Sequence, residues 1–147
     1  MLRSFLIGLV AGQRAMTPLA VIAGAARQGK LPEDAVGQKL LSHPLVAAGA
    51  VALAASEMAG DKMKSAPDRI ILPGLVARAA TGAFAGAVLA PAGERRVAAV
   101  LAGATAVAAS FVGWNLRIRA MERYGQTATG AVEDALVLGS GLAVANA

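Results

Sequence analysis

Hydrophobic positions in this chain follow neither the two-residue period of a strand nor the one-sided 3.6-residue period of a surface helix. They gather in runs of Ala, Val, Leu and Gly separated by short charged stretches. A helix that is apolar all round belongs in the centre of a large protein or in lipid. About 20 helical residues cross a hydrocarbon layer of ~30 Å. Five runs approach that length: Ser4 to Ala26, Pro44 to Gly60, Ile70 to Ala90, Val97 to Leu116 and Thr129 to Ala145. The second and fifth are near the short limit, which leaves open whether they cross fully. The pattern predicts an all-α, polytopic membrane helix bundle of about five helices, forming one domain over residues 1–147.

The connections are polar. Arg27 to His43 holds Gln28-Gly29-Lys30 and Pro32, with a short surface helix expected over Leu31 to Leu41. Asp61 to Arg69 reads as a charged turn around Pro67, and Pro91 to Arg96 as a tight turn that stops the third helix. Arg117 to Ala128 is basic, with a helix end at Tyr124-Gly125. The first residues resemble the start of a signal peptide. Gln13-Arg14 interrupts that apolar core and the pattern resumes to Ala26, so a retained first helix is expected.

Composition sharpens the membrane reading. The chain is 56% hydrophobic, 16% charged and only 3% aromatic, which suits close packing of small residues in lipid better than a soluble core. It has no Cys and one His, His43, which excludes disulfides, thiolate chemistry and His-rich metal sites. No cofactor is expected. The net charge of +5 sits at the edges of the apolar runs rather than in a basic stretch interleaved with aromatics, so the expected partner is the lipid bilayer and not nucleic acid. With five spans, Arg3, Lys62, Lys64, Arg69, Arg117, Arg119 and Arg123 fall on the N-terminal side, and Arg27, Lys30, Lys39, Arg95 and Arg96 on the other. Seven against five favours the cell inner (cytoplasmic) membrane with the N-terminus cytoplasmic and the C-terminus outside. Trp114 and Tyr124 suit an interfacial level.

Charges inside the apolar runs carry the candidate chemistry, because each costs at least a few kcal/mol in lipid (roughly 2.5–3.5 on insertion scales). Arg14 lies between Gly12 and Pro18; Pro18 deprives the Arg14 carbonyl of its helical donor, so the first helix is expected to break or kink there. Glu57 and Asp61 share a helix face, with Lys62 beside them. Two readings stand for this pair: neutralising Arg14 or Arg78, or binding a divalent cation through carboxylate oxygens. Glu133 and Asp134 open the fifth run, where acids also favour the positive end of a helix dipole. Arg14, Glu57, Asp61, Lys62, Arg78, Glu133 and Asp134 are together expected to form a buried charge cluster. Gly8 with Gly12, and Gly82 with Gly86, are spaced for helix–helix packing. Gly8 to Thr17 also resembles Gly74 to Thr81, an internal repeat that would give each copy one buried Arg.

The run Gly12-Gln13-Arg14-Ala15-Met16-Thr17-Pro18-Leu19, then Glu57-Met58-Ala59-Gly60-Asp61-Lys62, Arg78-Ala79-Ala80-Thr81-Gly82-Ala83 and Glu133-Asp134 resembles a family of small bacterial integral membrane proteins classed as a domain of unknown function. The resemblance covers most of the chain and implies a polytopic membrane protein. It implies no activity.

Three functions are compatible with these features. The first is a small channel or transporter for an ion or small polar solute, built as a homo-oligomer. The second is a non-catalytic accessory protein within a larger membrane complex. The third, less favoured, is a metal-dependent enzyme acting on lipid headgroups, with Glu57 and Asp61 as ligands. No nucleophile–base constellation or phosphate-binding loop is present, so a non-enzymatic role is expected.

Overall fold

The computed structural model describes residues 1–63 and 70–147; the expected turn around Pro67, with Lys64 and Arg69, lies outside them. The described residues are helical, without strands. The helices are α1 (Leu2–Gln13), α2 (Thr17–Arg27), α3 (Gln38–Leu41), α4 (Pro44–Gly60), α5 (Leu72–Val88), α6 (Arg95–Tyr124) and α7 (Gln126–Asn146). A 3-10 turn over Ala92–Glu94 leads into α6. Helices α6 and α7 are long and apolar enough to cross a membrane; α1, α4 and α5 are shorter apolar helices.

The first apolar run is two helices, not one. Arg14 has extended backbone angles, and Pro18 lies in the first turn of α2. Proline is favoured there, since its missing N–H would have no helical partner and its fixed φ suits a helix start. Pro18 therefore begins a helix and does not kink a continuous one. Val10 of α1 and Val21 of α2 both pack where a side chain on Gly141 of α7 would lie, so α2 retraces α1 as a hairpin. The expected surface helix over Leu31 to Leu41 is reduced to α3, and the fourth and fifth runs extend to Tyr124 and back to Gln126, with Gly125 at φ 83° making the turn.

Close contacts fix the directions. Gly8 and Gly12 of α1 face Ala102, Ala106 and Ala109 of α6, so α1 and α6 run parallel. Ser4 donates to the Gly86 carbonyl and Gly82 meets Ala11, so α5 runs antiparallel to α1. Arg3 donates to the carbonyls of Val144 and Ala145 at the end of α7. The order α1, α2, α4, α5, α6, α7 thus alternates in direction, and both termini lie at one end. The Arg95–Asp34 ion pair, 2.8 Å, places the α2–α3 connection at that end too. This corrects the expected topology. Arg27, Lys30 and Lys39 join Arg3, Arg95 and Arg96 at the terminal end, while Lys62, Arg117, Arg119 and Arg123 lie at the other.

Packing is inverted in size. The interior of the α1–α5–α6 unit is mainly Ala and Gly, whereas Leu45 and Val100 are 77% and 72% exposed. Small residues bring backbones together: a methyl group on Gly8 would sit 2.6 Å from the Ala102 carbonyl oxygen, and one on Gly12 2.7 Å from that of Ala106. Helix α4 is peripheral. It packs on α2 and α3, burying only Ala47 and Ala54, and a methyl group on Gly49 would meet nothing within 4 Å. Accordingly, Gly8→Ala and Gly12→Ala should each destabilise the fold by about 1–3 kcal/mol through overpacking. Gly49→Ala should be neutral or stabilise it by up to about 1 kcal/mol. Thermal unfolding of the purified variants measures both.

Candidate functional site: a charge cluster at a helix break

Interrupting a helix leaves backbone N–H groups without acceptors, and burying that interruption obliges the fold to supply them. After Arg14, whose N–H still reaches the Val10 carbonyl, the next two donors are Ala15 and Met16. Both donate to the Glu57 carboxylate from the end of α4, at 2.8 Å each. A charged acceptor makes these strong hydrogen bonds, and it lies at the positive end of the α2 dipole. On the other side of the break, the Gly12 carbonyl accepts from Ser110 on α6. Gln13 donates its side-chain amide to the Ala109 carbonyl.

The same break turns the Arg14 side chain into the bundle. It is 1% exposed and the largest fully buried side chain. Its Nη1 is 2.7 Å from Asp61 Oδ2, and its Nε and Nη2 are 2.8 and 2.6 Å from Asp134 Oδ1. Glu133 lies further off, at 3.9 Å. Asp61 Oδ2 also meets Arg117 Nη1 at 2.6 Å, and Arg117 reaches Glu133 at 2.8 Å and the Asp61 carbonyl at 3.0 Å. Lys62 pairs with the second oxygen of Asp134 and donates to the Met58 carbonyl. Gln126 closes the edge with hydrogen bonds to the carbonyls of Asp61 and Met63.

The core of the cluster therefore holds Arg14, Lys62 and Arg117 against Asp61, Glu133 and Asp134, which balance in formal charge. The structure brings together every candidate from the first, second and fifth apolar runs. Arg78 is buried on α5, in the segment that the antiparallel register carries toward the level of the break; the ion pairs above do not involve it. Although its segment resembles that of Arg14, α5 runs unbroken through it. Two expectations change. Arg14 is not inside one continuous apolar helix: it lies at a break, level with Gly113 to Arg117, where the apolar run of α6 ends. Glu133 and Asp134 are not in a first helical turn, since α7 starts at Gln126 and they occupy its third turn. They act on cations across the bundle instead of on their own helix dipole.

Arg117 is the member that reading the sequence missed. It follows Leu116, the last residue of an apolar run, and so reads as a loop charge. Its signal is the small-residue stripe Ala106, Ser110 and Gly113, whose helical spacing continues to Arg117, buried like the rest.

Chemically, the cluster is a hydrogen-bonded electrostatic lock. Among the described residues no group of three or more His, Asp or Glu is arranged around a common metal position. Glu57 is engaged with backbone donors and Asp61 with two guanidinium groups, so neither offers the oxygen set of a divalent-cation site.

Removing one partner from such a site strands the others in a poorly solvated place. Arg14→Gln should cost about 3–5 kcal/mol of stability. Arg14→Lys should recover only part of it, because one ammonium cannot span two carboxylates as a planar fork does. In a double-mutant cycle, Arg14→Gln with Asp134→Asn should cost less than the sum of the singles by about 1–3 kcal/mol. Equilibrium unfolding of the four proteins supplies the coupling, and additive costs would disprove the pairing.

No family model matches this chain, and no curated protein or solved structure is detectably similar to it.

Proposed function

We propose that the chain is an integral membrane protein of the cell inner (cytoplasmic) membrane, and that it acts as a small transporter or channel for an ion or small polar solute. The observation that carries this reading is the buried helix break at Arg14–Met16, held by acids from two other helices. The break lies level with the end of the apolar run of α6, and its freed backbone donors are met inside the protein by Glu57. Discontinuous helices with charged partners recur at transport sites. Supporting the membrane environment, large apolar side chains on α4, α6 and α7 face outward while the largest buried side chain is an arginine.

In this reading the cluster is a closed gate. Glu57 holds the N-terminus of α2, and Asp61 and Asp134 hold Arg14. Release of α4, which otherwise packs only on α2 and α3, would free two backbone donors and two carboxylates together. The second reading is a non-catalytic accessory protein. It is favoured by the outward apolar face of α4, which no other helix covers among the described residues, and a homo-oligomer or larger complex would cover it.

The absence of native Cys makes topology directly measurable. Single cysteines at Gly29 and Ala147 should label from the same side of sealed vesicles, and one at Glu122 from the opposite side. Labelling of Gly29 and Ala147 from opposite sides would exclude the hairpin. For activity, liposomes containing the protein should pass K⁺, Na⁺, Cl⁻ or H⁺ above empty controls, and Glu57→Gln should change that flux while the protein stays folded. Tight wild-type liposomes, with variants that only lose stability, would exclude conduction of these ions and favour the accessory reading.

A further inference from the structure

Helices α6 and α7 diverge beyond their shared turn, leaving a groove of about 910 Å³ floored by α1. From Thr105 to Tyr124 on α6 it runs about 28 Å at the helical rise. Its walls are apolar side chains such as Leu9, Val112, Leu116 and Leu136. Two polar groups deeper in it are already engaged: Gln13 with the Ala109 carbonyl, and Arg117 with Glu133.

The end nearest the α6–α7 turn is different. Val112, Leu116, Arg119 and Arg123 follow one another at intervals of four, three and four residues, so one helical stripe passes from apolar to basic. Arg119 and Arg123 are exposed, and neither joins an ion pair among the described residues. With Glu122 between them, this turn keeps a net positive charge. The Arg123 guanidinium lies 5.7 Å from the centre of the Tyr124 ring, which itself lines the groove.

We propose that this groove binds one anionic phospholipid. An acyl chain lies along Leu9, Val112, Leu116 and Leu136, and the phosphate faces Arg119 and Arg123. Charge complementarity selects the occupant. An apolar helix would fill the walls but leave the two cations unanswered, whereas a lipid with a negative headgroup answers both. The inference rests on the membrane reading above.

The test starts with alkaline carbonate extraction of membranes containing the full chain. Protein released into the supernatant would overturn both the membrane reading and this one. Protein retained is purified in mild detergent, offered equal amounts of phosphatidylglycerol and phosphatidylcholine, and weighed by native mass spectrometry. The expected result is one retained phosphatidylglycerol, favoured over phosphatidylcholine. Two interfacial arginines are worth roughly tenfold or more in that preference. Arg119→Gln with Arg123→Gln should abolish the preference, and Ala120→Phe, at the groove wall, should reduce retention of either lipid. Equal retention of the two lipids, variants that bind like wild type, or a lipid-free dimer would overturn the groove assignment, and the carbonate result would leave the membrane reading standing.

Discussion

A guanidinium buried at a broken helix is the constraint on which this structure depends. Burying the Arg14 cation is costly unless it is paired, so the fold must bring it acids. Those acids are far away in sequence, at Asp61 and Asp134, and the backbone donors beside it need a further carboxylate, Glu57. Meeting these needs ties the tip of the α1–α2 hairpin to the end of α4 and to an early turn of α7. At the opposite end Arg3 ties the start of α1 to the last carbonyls of α7, where a cation also complements the helix dipole.

Between those ends two kinds of packing divide the work. Helices α1, α5 and α6 meet through glycine and alanine, so their backbones approach too closely to admit even one added methyl group at Gly8, Gly12 or Gly86. Dispersion contacts of that density are sensitive to small displacements, and they make the three helices a firm unit. Helix α4 has no such interface with the unit. Its position is set by its packing on α2 and by the charges at its carboxyl end. The cluster is therefore a positional element for α4 rather than an ornament on an already rigid bundle, and cutting it would act on α4 more than on α5 or α6.

Hydropathy made the helical class and the approximate places of the helices legible, because uniform apolar runs have few other ways to satisfy their backbone. It could not reveal the reversal after Arg14. A hydropathy profile records whether residues are apolar and not which way the chain travels, and Gln13-Arg14 is too brief to read as a loop. From that one reversal followed the mistaken end assigned to Arg27, Lys30, Lys39 and the C-terminus. The acids were easier. Glu57, Glu133 and Asp134 are conspicuous in apolar surroundings, and Asp61 falls one turn after Glu57. The need for acids near Arg14 was legible, but not that Asp61 and Asp134 would meet its guanidinium while Glu57 meets the backbone beside it. Arg117 escaped because the edge of an apolar run was taken for the edge of the bundle, although the stripe of small residues on α6 continues through it.

The wiring of the cluster limits what it can do. A single buried ion pair is all or nothing, since separating it strands two charges at once. Here Asp61 serves Arg14 and Arg117, Arg14 serves Asp61 and Asp134, and Asp134 also serves Lys62. If one contact opens, each of these groups except Lys62 keeps another partner of opposite charge. The network can thus change its connections in steps, none of which leaves Arg14 isolated. A lock needed only for strength gains little from such sharing, because replacing buried ions with well-packed apolar groups is often neutral or stabilising. Shared partners matter most where an element must leave its place and return, and the element this cluster holds most directly is the loosely packed α4.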